Sequence, residues 1–184
     1  MPKNNADTAE KTLKRKYVFE GRLIKVRVDT VAAADGHRAE REIVEHPDAV
    51  VMVALDKDDN ILMVDQYRAP LGKNLLEIPA GVIEKSEDAE STAVREMQEE
   101  TGYKPQKVEF LTGFYTSPGF SNEYLHLYMV TELMESRLEA EDTAGIELVR
   151  VPVSQINELI TSGRIQDAKT IAGLLLFLEY RRSR

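Results

Sequence analysis

The stretch Gly81–Tyr103, GVIEKSEDAESTAVREMQEETGY, decides the reading of this chain. It sets an acidic segment of helical spacing directly behind a glycine. Glu96, Glu99 and Glu100 stand at i, i+3 and i+4, which are surface neighbours on a helix of 3.6 residues per turn. Like charges at that spacing repel by roughly 0.2–0.5 kcal/mol per pair, and a cation relieves the repulsion. Carboxylate oxygens suit hard divalent ions such as magnesium or manganese, which bridge to substrate phosphates rather than being caged by protein alone. Ser86 reads as the N-cap, with Glu87, Asp88 and Glu90 in a first turn that favours acids. Gly102 reads as the C′ stop. Ala89, Ala93 and Met97 recur at i, i+4 and i+8 and form the buried stripe, leaving the glutamates to face a cleft.

Working outward, LLEIPAG (75–81) is a short strand feeding this helix. Upstream, AVVMVAL (49–55) is a continuous apolar run expected as a central buried strand. A turn at 57–60 leads to a second strand, ILMVDQYR (61–68). Downstream, KVEFLTGFYTS (107–117) and EYLHLYMVTEL (123–133) are strands separated by Pro118-Gly119, and IELVRVP (146–152) is a further one. Two helices close the chain, at about 153–162 and 167–182; Ile171, Leu174, Leu175 and Leu178 are expected to form the core face of the second. Near the start, 17–44 reads as a long hairpin: LIKVRVDTV alternates, Asp35-Gly36 marks a turn and HRAEREIVEH returns. Residues 1–12 are polar and expected to be disordered. A lone hairpin is marginal in water, so this one is expected to pack on a partner, with a second subunit the natural candidate.

The 184 residues suffice for one main core with an appendage. At 42% hydrophobic and 7% aromatic the composition is that of an ordinary globular protein and not of a disordered one. A formal charge of −8 and a pI near 5.0 argue against extended nucleic acid or an anionic membrane as partner. A small phosphorylated substrate remains compatible if metal ions and a few arginines neutralise it locally. There is no cysteine, which removes thiolate zinc sites and thiol nucleophiles. The polar start and the short apolar run IAGLLLFL (171–178) lead to the expectation of a cytoplasmic protein. His37, His46 and His126 are scattered and read as surface or structural residues.

The spacing Gly81, five residues, Glu87, seven residues, Arg95-Glu96, Met97, any residue, Glu99-Glu100, any residue, Gly102 and an apolar residue resembles the Nudix box. Beyond it, REIVEHPDAV (41–50), QYR (66–68), LEIPAG (76–81) and SPGFSNE (117–123), with Pro118 sixteen residues after Gly102, are similar to the ADP-ribose pyrophosphatase branch. The resemblance covers roughly residues 17–180. It implies a Nudix-like α/β/α sandwich with a mixed β-sheet, preceded by an N-terminal β-hairpin. The implied division is 1–12 disordered, 13–47 a hairpin used for dimerisation and 48–184 the Nudix hydrolase domain. The implied activity is magnesium-dependent hydrolysis of ADP-ribose to AMP and ribose 5-phosphate, manganese being an alternative ion. Another nucleotide sugar such as GDP-mannose, or a nucleotide sensor without turnover, are the rival readings.

Carried over by position, the resemblance makes Glu96, Glu100 and the Ala80 carbonyl metal ligands, with Glu99 as ligand or water-positioning group. Arg95 orients Glu99 at i+4. Glu87 ties the loop to the helix or joins the outer metal shell, an acid at a helix N-terminus being the plain alternative. Gly81 is required where backbone approaches metal and phosphate, and a positive φ is open to it. Arg68 is implied in phosphate binding, a role for a planar fork; Arg41 lies near the nucleobase and Glu123 near the terminal ribose. Tyr17 and Phe19 can stack on a base, core packing being preferred. The general base is sought in LEAEDTAGIELV (138–149), where Thr143, Ala144 and Gly145 stand in place of the further acids common in that branch. Glu141 is first choice and Asp142 second, with Glu139 and Glu147 behind them. A homodimer through the hairpin is also implied.

Overall fold

The computed structural model describes residues 10–140 and 145–184. Among these the chain forms strands β1 (Lys11–Glu20), β2 (Lys25–Ala32), β3 (Arg38–Glu45), β4 (Ala49–Leu55), β5 (Asn60–Arg68), β6 (Lys73–Glu77), β7 (Ala80–Val82), β8 (Tyr103–Tyr115), β9 (Tyr124–Glu135) and β10 (Glu147–Pro152). Its α-helices are α1 (Ala89–Glu96), α2 (Ile156–Thr161) and α3 (Ala168–Arg182). Two compact units result: residues up to Pro47 with Tyr115–Tyr124, and Asp48–Phe114 with Leu125–Arg184.

In the second unit the strand order is β10-β5-β4-β9-β8, with β6 added to β5 and β7 to β4. The sheet is mixed: β4 runs parallel to β9 and antiparallel to β5 and β7. The apolar run 49–55 therefore lies at the centre, as its composition requires, and Ala49 through Ala54 are buried. Side chains alternate across a strand, so β4 serves two cores. Val51 and Val53 join Ile61, Met63, Leu127, Leu174 and Phe177 on the face covered by α2 and α3. Val50, Met52 and Ala54 join Leu62, Ala93, Met97 and Val130 on the face covered by α1. This is the expected α/β/α layering. No described helix is long and apolar enough to cross a membrane.

The second C-terminal helix keeps Leu174 in the core and Ile171 and Leu178 packed against it, and departs from the expected stripe at Leu175. Its buried residues are Thr170, Gly173, Leu174 and Phe177, while Leu175 is 45% exposed. Gly173 joins the buried face because it lets the helix approach the sheet: a Cβ there would lie 2.8 Å from Cδ1 of Ile78. The expected single strand 75–81 is also two, β6 and β7. Pro79 separates them and has no N–H to donate, and its carbonyl accepts from Met52 N at 2.9 Å.

In the first unit the expected hairpin is three-stranded, in the antiparallel order β1-β2-β3. The unforeseen strand is KTLKRKYVFE, which starts at Lys11 inside the segment expected to be disordered. Its cations gave the appearance of a solvated tail, yet charged residues are what an edge strand carries. Every residue of β1 is exposed. Tyr17 at 40% and Phe19 at 54% exposure are not core residues, contrary to the preferred expectation.

Candidate active site

Asp88, not Ser86, caps α1: its carboxylate accepts from Ser91 N at 2.8 Å. Residues before it form a turn closed by Glu87 N donating to the Glu84 carbonyl at 3.0 Å, so the helix begins later than Ser86 would have it. That delay leaves Glu87 outside the helix and turned toward Arg95.

The acid segment is not one regular α-helix. After Glu96 the backbone widens into a π-helical turn over Met97–Thr101, and Gly102 ends it at φ 80°, as its left-handed stop role requires. An i→i+5 turn breaks the 3.6-residue stacking, and such turns occur frequently at functional sites. The three glutamates consequently divide. Glu96 and Glu99 share Arg95, whereas Glu100 is turned inward and buried, accepting from Ala80 N at 3.0 Å.

Arg95 is the hub. Its Nε and Nη2 donate to the two oxygens of Glu87 at 2.8 and 2.9 Å, and Nη1 donates to Glu96 Oε1 at 2.8 Å and Glu99 Oε2 at 3.0 Å. The expected i+4 pair with Glu99 is thus one of three. Hydrogen bonding to Glu87 raises the Arg95 pKa and lowers that of Glu87. One oxygen of Glu96 and one of Glu99 stay outside these bonds.

Gly81 matters for its missing side chain. A Cβ at that position would fall 1.9 Å from Cδ and 2.0 Å from Oε1 of Glu96, so the carboxylate occupies the space a side chain would take. Its φ is not positive; the glycine is demanded by space and not by a left-handed turn. Burial pushes Glu96 up to about 7 against the pull of Arg95. Burial likewise pushes Glu100 up to about 8 against the Ala80 hydrogen bond, with Glu96 adding to the rise. Desolvated, mutually repelling carboxylates gain from a cation.

Among the described residues no three acids converge as a metal cage. The Arg95 guanidinium and the Ala80 N–H bind one oxygen each of Glu96, Glu99 and Glu100. The donor set still fits a hard divalent ion that keeps part of its water shell and shares its coordination with phosphate. It is oxygen-only, is cradled by Gly81, and holds two acids whose burial disfavours their charge.

Arg68, the last residue of β5, makes a side-on pair with Glu77, Nε to Oε1 and Nη2 to Oε2 each at 2.7 Å. Glu77 is 1% exposed and also receives Lys169 Nζ. Asp167, the α3 cap, accepts from Lys169 at 2.9 Å and from Thr170 Oγ1 at 2.6 Å. Sequence reasoning missed Glu77, Asp167 and Lys169. The available signal was Glu77 itself, a charge between Leu76 and Ile78 in an otherwise apolar strand.

Arg41 and Glu123 lie in the first unit. Arg41 is exposed and donates through Nε to Glu10 at 3.1 Å. Glu123 accepts from Thr116 Oγ1 at 2.6 Å and stands 3.4 Å from His46 Nδ1. Glu141 and Asp142 lie outside the described residues. Of the reserve acids, Glu139 and Glu147 are both exposed.

Residues 45–174 match the NUDIX domain family. The chain belongs to the Nudix family. Residues 10–44 of this Nudix hydrolase match a second family, the nucleoside diphosphate sugar hydrolase N-terminal domain. It is 42% identical over 164 residues to the methanol dehydrogenase activator of Bacillus methanolicus, covering 88% of this chain and 89% of that protein. To the ADP-ribose pyrophosphatase of Bacillus subtilis it is 40% identical over 163 residues, 88% of each. To that of Mycobacterium tuberculosis it is 35% identical, covering 89% and 81%. In fold it is similar to a crystal structure of an ADP compounds hydrolase, with TM-score 0.87, 22% identity and 95% of each chain covered.

Proposed function

We propose that this Nudix hydrolase cleaves the pyrophosphate of ADP-ribose to AMP and ribose 5-phosphate, with magnesium as its ion and manganese as a substitute. The observation that carries the chemistry is the Glu96 carboxylate seated on the Gly81 backbone beside buried Glu100. Substrate choice rests on similarity to the two proteins named ADP-ribose pyrophosphatase.

In this reading Glu96, Glu100 and the Ala80 carbonyl hold the ion, with Glu99 as ligand or water-orienting group. A bound divalent ion neutralises the pyrophosphate and makes water a better nucleophile. Arg95 fixes Glu96 and Glu99 before substrate arrives, a preorganisation that lowers the reorganisation cost of the step. Arg68 offers a phosphate the Nη1 end that Glu77 leaves free, while Arg41 serves the nucleobase end and Glu123 the terminal ribose. Glu141, or else Asp142, takes a proton from water as it adds to one phosphorus and the bridging P–O bond breaks.

We further assign residues 13–47 as a dimerisation subdomain and 48–184 as the hydrolase domain. The support is β1, exposed along its whole length and carrying Leu13, Val18 and Phe19 at 44%, 53% and 54% exposure. A second copy of the chain covers these residues in the proposed homodimer.

The test is product chromatography after incubation with ADP-ribose, GDP-mannose and NADH, each with magnesium and with chelator. AMP and ribose 5-phosphate, abolished by chelator and by Glu100→Gln, is the expected result. Preference for GDP-mannose would keep the chemistry and change the substrate, and binding without product would favour a sensor. A second reading follows from the Bacillus methanolicus relative, whose name describes activation of a dehydrogenase. Stimulation of a methanol dehydrogenase by this protein, with little turnover of free ADP-ribose, would favour it.

A further inference from the structure

Beside the acid site lies a charged cluster in which Glu77, Lys169 and Asp167 have no part in the proposed metal chemistry. Glu77 ends β6 with its side chain 1% exposed, and a buried carboxylate is tolerated only when paired and hydrogen-bonded. Two cations pair with it. Arg68, at the end of β5, binds both its oxygens through Nε and Nη2, and Lys169, in the first turn of α3, binds Oε2.

Lys169 is itself held from behind. Asp167 accepts from its Nζ at 2.9 Å while capping α3 through Thr170 N at 3.0 Å. Thr170 Oγ1 in turn accepts from Ile78 N at 3.0 Å, which ties the start of α3 to the segment leading into Ala80 and Gly81. Lys169 is only 16% exposed, whereas Arg68 is 38% exposed. Arg68 uses Nε and Nη2 on Glu77, so its third nitrogen, Nη1, stays outside the pair. Both cations also attract the Glu100 carboxylate, so the cluster adjoins the acid site.

We propose that Lys169 is a positioning residue for Arg68, acting through the Glu77 carboxylate they share to hold the guanidinium in the orientation that binds a substrate phosphate. This rests on Arg68 being a phosphate-binding residue. The physical reason is geometric: a carboxylate pinned by Lys169 and by strand β6 has one orientation left, and a side-on Arg pair copies that orientation onto the fork. Glu77 without Lys169 can rotate about its last torsions, and Arg68 rotates with it.

The test uses the full-length protein and inorganic pyrophosphate with magnesium as the probe, its affinity read by calorimetry, alongside kcat and KM for ADP-ribose. Arg68→Ala and Lys169→Met are each expected to weaken pyrophosphate binding about tenfold, the loss typical of a hydrogen bond to a charged group. Lys169→Met should raise KM far more than it lowers kcat, and Lys169→Arg should recover most of the affinity. Because Lys169 acts through Arg68, the double variant should bind no more weakly than Arg68→Ala alone. Additive losses would overturn the proposal, as would unchanged affinity in Lys169→Met when Arg68→Ala is weakened. Unchanged affinity in Arg68→Ala would instead remove the phosphate role of Arg68, and the proposal with it. Should Lys169→Met not fold, Glu77→Gln/Lys169→Met removes the charge pair together and carries the same expectations.

Discussion

Gly81 and Glu96 occupy space that cannot be shared: a Cβ on residue 81 would stand 2.3 Å from Cγ of Glu96 and closer still to its carboxyl carbon. The blocking atoms belong to the end of a side chain that can swing away. Gly81→Ala should therefore fold with nearly unchanged melting temperature but displace the carboxylate. A displacement near 1 Å at a reacting centre costs about a hundredfold in rate. Turnover of Gly81→Ala within threefold of wild type would show that the Glu96 position is immaterial.

Arg95 is the shared ion-pair partner of three part-buried carboxylates. Its loss leaves Glu87, Glu96 and Glu99 facing one another without a counter-charge. Metal-free Arg95→Ala should be destabilised by about 2 kcal/mol, the scale of charge-assisted hydrogen bonds. Millimolar magnesium should restore part of that loss and stabilise the variant more than it does wild type. Thermal melting with chelator and with magnesium measures both; equal losses under the two conditions would separate Arg95 from the cation site.

The acidity of Glu96 and Glu100 gives a pH dependence whose sign is fixed. Burial raises both in the folded chain, to about 7 and about 8, against an unfolded value near 4.3. The folded state then binds more protons, so metal-free stability is greatest below the unfolded value and declines as pH rises through the folded ones. A divalent ion must displace those protons. Calorimetry in buffers of different ionisation heat should detect proton release on magnesium binding at pH 6.5 and almost none at pH 9.5. Equal release at both would contradict the assignment of these acids as ligands.

Exposed Val18 and Phe19 on β1 give the dimer proposal its test. Wild type should elute as a dimer in size exclusion with light scattering, and Val18→Lys/Phe19→Lys as a monomer. A wild-type monomer that turns over ADP-ribose would defeat the proposal.

Much of the hydrolase unit could be read from the chain because its signals are local. Gly102 stops the acid segment where a left-handed residue is needed, and Arg95 reaches Glu99 as spacing requires. The run 49–55 is apolar on both faces and lies mid-sheet. Among the features that escaped, three show why. The helix cap moved from Ser86 to Asp88 because a preceding turn used the backbone first. The strand at 11–20 was hidden by its lysines, since an edge strand and a solvated tail share that composition. The Glu77 cluster joins residues separated by 92 positions, beyond the reach of any periodicity.

The sequence by itself determined the family of chemistry, because hard carboxylates at short helical spacing beside a glycine have few other uses. It also determined the layered architecture, through the unbroken apolar run of β4, which needs cover on both faces, and the acid–apolar division of α1. The tertiary structure alone decided the state of each acid. Local spacing treats Glu96, Glu99 and Glu100 as equivalent, but past the π turn Glu100 bonds Ala80 N while Glu96 and Glu99 share Arg95. Their burial, and hence their affinity for protons and for cations, depends on which backbone comes to lie against them, and that backbone arrives from β7 and not from the helix.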